Sequence, residues 1–171
     1  GRSSEAWRDR RRGGTMRRKD REVTDPERID AIIRACHCCR LGFYDNGEVY
    51  IVPLDFGYDE KEGKRTFYFH GAKEGRKMDC ILRSPRAGFE LDTGYELIEA
   101  EVACRNSARY RSVVGTGRVS VIEAPEEKRA ALQAVMLHST GKGGWDFPDA
   151  MLNAVCVFQL EVETLSCKEH A

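Results

Sequence analysis

The chain has 171 residues, 41% hydrophobic and 33% charged, with a formal net charge of zero. That is enough chain to bury the core of one ordinary domain, and the composition excludes a disordered or fibrous protein. No apolar run of about 18 residues is present to cross a membrane as a helix, and no secretory signal pattern opens the chain. No membrane partner and a cytoplasmic location are therefore expected.

The charge is unevenly placed. Residues 1–21 carry nine Lys/Arg against three Asp/Glu, a net of +6, which leaves −6 on the rest. One reading is a basic arm for nucleic acid or a membrane surface. The other is a leader outside the fold, since Met16 stands as an internal start. The acidic body argues against general nucleic-acid binding, which needs phosphate neutralisation. Residues 1–15 are therefore expected as a leader, disordered or added, and 16–171 as the domain.

The first regular element opens at Thr24-Asp25-Pro26, a helix cap followed by a proline suited to the first turn. Ile29, Ile32, Ile33 and Cys36 then share one helical face, and the helix is expected to end near His37. Asn46-Gly47 lies between two β-rich runs, Cys39–Tyr44 and Val49–Tyr58, and predicts a hairpin. Pro53 interrupts the second run, which must be bulged or unpaired on one side there. Arg65–His70 reads as a third strand, so the first three strands predict an antiparallel meander. A short helix follows with Met78, Ile81 and Leu82 inward, stopped at Ser84-Pro85.

Arg86–Leu91 predicts a fourth strand, and Asp92–Ala108 gives no clear pattern. Arg109–Ile122 predicts a long strand bent at Gly115 and Gly117. A second long helix begins at Ala124-Pro125, with Leu132, Val135 and Met136 inward. A short helix near Pro148–Asn153 and a last strand Val155–Val162 complete the chain. About six strands, mostly antiparallel, with three or four peripheral helices point to a small closed or partly closed barrel. The βαβα alternation and GxGxxG of a dinucleotide fold are absent.

The segment His70-Gly71-Ala72-Lys73-Glu74-Gly75-Arg76-Lys77 is the best candidate for chemistry. It joins a strand end to a helix start, where free backbone N–H groups favour an anion. Lys73, Arg76 and Lys77 add positive charge suited to one phosphate monoester; the alternative is a solvated basic turn. Val52-Pro53-Leu54 offers an apolar strand edge against which a flat ring could lie; the alternative is a proline-protected edge. Cys36 and Cys39 have CxxC spacing, but no second ligand pair exists, so no metal site is expected. The seven cysteines are read as mostly reduced thiols. His70 is the one histidine in a chemical neighbourhood; His37 and His138 follow apolar faces and read as structural.

Several of these segments together resemble the 5-nitroimidazole-resistance (Nim) family. They are Met16–Val23, Arg40-Leu41-Gly42, Tyr50–Tyr58, Tyr68–Lys77, Tyr110–Gly117 and Val157–Val162. That family is similar to pyridoxamine 5′-phosphate oxidases. The resemblance implies a mainly β fold: a six-stranded antiparallel split β-barrel, the FMN-binding split barrel, acting as a homodimer. It implies FMN between the subunits, with FAD as the second choice. Val52, Pro53 and Leu54 would lie beside the isoalloxazine, and His70, Gly71, Ala72, Lys73, Gly75, Arg76 and Lys77 would hold the phosphate. Ser112 and Val113 would approach the cofactor from another strand. The implied activity is a flavin-dependent, nitroreductase-like oxidoreductase acting on nitroimidazoles or related small aromatics, with His70 beside the substrate. The alternative is a flavin- or haem-binding protein without turnover.

Overall fold

The structure is a computed structural model and describes residues 18–171; the leader expected at 1–15 lies outside them. Its elements are α1 (Pro26–Ala35), β1 (Cys39–Asp45), β2 (Glu48–Leu54), β3 (Gly57–Lys61), β4 (Lys64–Gly71) and α2 (Arg76–Arg83). They continue with β5 (Arg86–Ile98), β6 (Ser107–Ile122), α3 (Pro125–Thr140), α4 (Asp149–Ala154) and β7 (Cys156–His170).

The strands form one antiparallel sheet in the order β2-β1-β5-β6-β7-β4-β3. That order leaves β2 and β3 as free edges. The sheet nevertheless curls into a barrel. Phe67 on β4 and Phe89 on β5 stand three strand steps apart, roughly 14 Å in a flat sheet. Their ring centroids are 5.2 Å apart, so the two strands face each other across the interior. Phe43, Phe69, Phe158 and Leu160 fill the same core, all fully buried. The architecture is a split β-barrel with peripheral helices, as the sequence predicts.

Its strand count is seven rather than six, and the expected meander is absent. The run Val49–Tyr58 is two strands. β2 pairs with β1, while β3 crosses to the other edge and pairs with β4. The break falls at Asp55-Phe56, where Phe56 turns fully into the core. Pro53 sits on the edge strand, where a missing N–H is tolerated. Two strands also run longer than their patterns suggest. β5 continues through Ile98 and β7 through His170. The β5 extension pairs with the outer half of β6 beyond the main core, and the β7 extension adds only Leu165 and the buried Cys167 to that core, too short an apolar alternation to read.

α1 lays Ile29, Ile32 and Ile33 against β5 and β6. Asp30 on that helix accepts hydrogen bonds from Tyr58 and Arg65 (Nε, 3.1 Å), tying it to β3 and β4. α1 ends at Ala35, two residues before the expected stop. α2 buries Met78, Cys80 and Ile81, whereas Leu82 faces solvent; two turns of helix meet the barrel along a narrow stripe. α3 covers β3 and β4, and a second apolar cluster of Leu132, Phe147, Leu152 and Val157 packs outside the barrel under α3 and α4.

On β6, Gly117 occupies an inward position. A Cβ there would stand 2.3 Å from Leu160 Cδ2 and 2.5 Å from the Glu161 carbonyl, and Gly115 is equally crowded. Beside it the register with β7 slips, leaving Glu163 unpaired between Thr164 and Val162. That is the bend expected from the two glycines.

Candidate functional site

The β4–α2 loop and the free edge of β2 form the candidate site. The loop leaves β4 at Gly71 and enters α2 at Gly75, whose φ of +128° is one that L side chains rarely adopt. No side chain caps the N-terminus of α2. Its first N–H groups are therefore available to an anion. Lys73 is exposed beside them, and no ion pair of Lys73 or Lys77 occurs among the described residues. The Lys77 ammonium folds back over Gly71 and lies 5.8 Å from the Phe158 ring.

Arg76 is placed differently from a free phosphate ligand. Its Nε donates to Asp45 Oδ2 at 2.8 Å, its other arm reaches Glu48 at 3.4 Å, and the guanidinium lies 4.3 Å from the Tyr50 ring centroid. Arg83 also donates to Asp45, at 2.7 Å. The hydrogen bond from Arg76, helped by the charge of Arg83, holds the Asp45 carboxyl below its ordinary range. These contacts dock the N-terminus of α2 onto the β1–β2 hairpin, whose turn is Asn46-Gly47 with both φ values positive. Residues 31 apart in sequence thereby bring the basic loop next to β2. Val52 and Leu54 pack partly against the core, and Pro53 is exposed on the outer face. His70 is exposed at the end of β4, opposite Val157 on β7.

Ser112 and Val113 are not part of this group. They lie on β6, separated from β2 by β1 and β5, roughly 14 Å at sheet spacing. Val113 is fully buried inside the barrel. Ser112 is half-buried and paired with Asp92 and Lys168.

The outer face of β2, β1, β5 and β6 carries a feature that sequence reading missed. The register places Ile51, Gly42, Gly88 and Thr116 in one row across the four strands. Gly42 and Gly88 have room for a Cβ, the nearest atoms lying 3.9 and 3.8 Å away. They floor an apolar groove of about 430 Å³ between Ile51 and Val114. Arg40 bounds it, paired with Glu90 and Asp92 at 3.0 Å. Val49, Ile51 and Val114 expose most or half of their surface on this face. The signal was present as two glycines, each next to a buried apolar residue (Leu41, Phe89) in a strand. Only the register makes them neighbours.

The pyridoxamine 5′-phosphate oxidase family model matches residues 25–169. The chain belongs to this family. No match is found among curated proteins. Among solved structures, a Bacteroides thetaiotaomicron protein named for 5-nitroimidazole antibiotic resistance is 32% identical with a TM-score of 0.75. That match covers 86% of this chain and 85% of that one. The flavocytochrome Anf3 of Azotobacter vinelandii is 22% identical with a TM-score of 0.75, over 92% of this chain and 72% of its own. A FAD- and heme-binding protein of Mycobacterium smegmatis is 20% identical with a TM-score of 0.72, over 87% and 73%. The last two share the fold of the pyridoxamine 5′-phosphate oxidase family.

The family's barrel here also carries the cysteines. Cys36 and Cys39 are both fully buried, and burial pushes the Cys36 thiol up to about 12 and the Cys39 thiol higher still. The Cys36 thiol donates to the Ile32 carbonyl. Among the described residues no group of three ligating side chains converges. His138 Nε2–H donates to the Cys36 carbonyl at 2.6 Å, and the ring packs on Phe56, ring centroids 4.2 Å apart. No described helix is long and apolar enough to cross a membrane.

Proposed function

We propose that residues 16–171 form a homodimeric flavoprotein that holds FMN between its subunits and reduces nitro compounds or related small aromatics. The observation that carries this reading is the uncapped, lysine-flanked start of α2, docked by Arg76 onto the free edge of β2. Gly71, Ala72, Lys73, Gly75 and Lys77 would hold the phosphate. Arg76 would serve it indirectly, by keeping the loop against β2. The isoalloxazine would lie along Val52, Pro53 and Leu54, whose outer backbone groups have no strand neighbour. FAD is the second choice of cofactor.

The outer face supports the dimer. An apolar groove floored by two unforced glycines fits close approach of a second copy of this chain. Ser112, three strands from its own β2, would then serve the partner's cofactor together with the neighbouring backbone of Val113. The flavin supplies the redox chemistry when bound. His70, exposed beside the loop, would orient a substrate or hold a proton at a nitro oxygen. The 32% identity to a protein named for 5-nitroimidazole resistance supports the substrate class.

The test is an absorption spectrum of purified protein, with chromatography of what acid releases. Released flavin is expected; a colourless protein that takes up no added flavin overturns the reading. A haem band would favour the non-catalytic alternative. His138 does not suit that role, since its Nε2 is already engaged by the Cys36 carbonyl. Lys77→Ala is expected to weaken flavin retention about tenfold, the loss of one charge-assisted contact. His70→Ala should keep the flavin and lose reduction, and full turnover in that variant removes His70 from the mechanism.

A further inference from the structure

The basic loop borders a second space. A cavity of about 430 Å³ opens beside Lys73, on the flank formed by the end of β6, the start of β7 and α3. Its floor is Cys156 and Val157, the register partners of Gly71 and His70. The loop therefore stands between two regions: β2, reached through Arg76 and Tyr50, and this cavity.

Its electrostatics are one-sided. Lys73 and Lys128 line it, and Glu123 is the one carboxylate on its wall. Lys73, Lys77 and Lys128 all act on the buried Cys156 thiol to favour its ionised form, although burial dominates and keeps its pKa raised. Lys73 and Lys128 thus share this wall, and neither they nor Lys77 has an ion pair among the described residues. Lys128 donates instead to the carbonyls of Leu152 and Val155 (3.0 Å), which fixes its position without neutralising it. Met78, Val121, Ile122 and Val155 complete the walls with apolar surface. Gathered cations lacking counter-ions are held against their own repulsion, and an anion relieves it. The volume lies in the range that encloses small organic ligands, which exceeds the need of a phosphate alone.

We propose that this cavity is a nucleotide subsite: Lys73 and Lys128 bind a phosphate, and the apolar walls hold the attached base. The moiety arrives either as the adenylate half of FAD or as a separate nucleotide. The inference rests on the flavin reading for its first source and is independent of it for its second.

The experiment titrates flavin-free full-length protein with FMN, FAD and AMP, each alone, and then FMN-loaded protein with AMP. Lys128→Met and the cavity-filling Val155→Phe are compared, with thermal unfolding of each variant as the control for folding. The expected result is FAD binding about fivefold tighter than FMN, on the scale of one partly exposed ammonium–phosphate contact. Both variants should bring FAD down to the FMN affinity and leave FMN unchanged. Equal flavin affinities with AMP binding to FMN-loaded protein, lost in both variants, supports the separate nucleotide. FMN binding with no FAD preference and no AMP binding overturns the subsite and leaves the flavin reading intact. AMP binding without either flavin keeps the subsite and overturns the flavin reading. If nothing binds, both fall.

Discussion

Two pairs of glycines sit in the same sheet under opposite constraints. Gly115 and Gly117 point into the barrel, where added Cβ atoms would meet Thr164 O at 2.1 Å and Leu160 Cδ2 at 2.3 Å. The chain's own packing demands them. Gly42 and Gly88 face outward, paired across β1 and β5, with nothing nearer than 3.8 Å to an added Cβ. Their backbone is extended, so no conformation demands glycine either. A strand glycine costs about 0.5–1 kcal/mol relative to alanine. The inner pair offsets that cost within the barrel; nothing within the protomer offsets it for the outer pair. The same residue type reports the core in one place and, in the proposed dimer, a partner in the other.

The largest effect is expected at the inner pair. Gly117→Ala forces Leu160 and the Glu161 carbonyl apart and should destabilise the fold by about 1–3 kcal/mol, the range for overpacking a filled core. Denaturant unfolding measures it. A loss below about 0.5 kcal/mol would mean that the β6–β7 bulge absorbs the methyl group, and the contrast between the faces would weaken.

Gly88→Val sharpens the contrast from the other side. The protomer has room for the side chain, and valine suits an extended backbone, so protomer stability should stay level or rise by up to about 1 kcal/mol. Self-association and flavin retention should fall by about tenfold or more, because the groove between Ile51 and Val114 is filled. Sedimentation at several concentrations reads the first and flavin fluorescence the second. Unchanged association with a stabilised fold would place the subunit contact on some other face.

Much of this was legible in the sequence wherever the signal is local. Asn46-Gly47 predicted the hairpin because both positions need positive φ, and they have it. The α1 face follows from Ile29, Ile32 and Ile33 at helical spacing. The helix-start loop at Gly75 was visible from glycine and lysine spacing. What depends on register was hidden. Val49–Tyr58 reads as one strand, since nothing local says that its halves belong to opposite edges. The extension of β5 lies off the core, and that of β7 contributes only Leu165 and Cys167 to it. Arg76 reads as a free cation because Asp45, its partner, is far away in sequence. Gly42 and Gly88 likewise become neighbours only in the sheet.

The smallest effect concerns the core side of the same sheet, where α3 is anchored by His138. Burial against Phe56 lowers its pKa below the ordinary 6.5, only partly offset by the hydrogen bond with the Cys36 carbonyl. The folded state thus binds a proton less readily than the unfolded chain. Stability from this group is fully present above pH 6.5 and is lost as pH falls through the folded value. The barrel should therefore weaken as pH falls below about 6.5. His138→Gln removes the titration, so its stability curve should be flatter across that window. Parallel curves for the two proteins would show that protonation is tolerated where it stands, with the imidazolium donating to the Cys36 carbonyl.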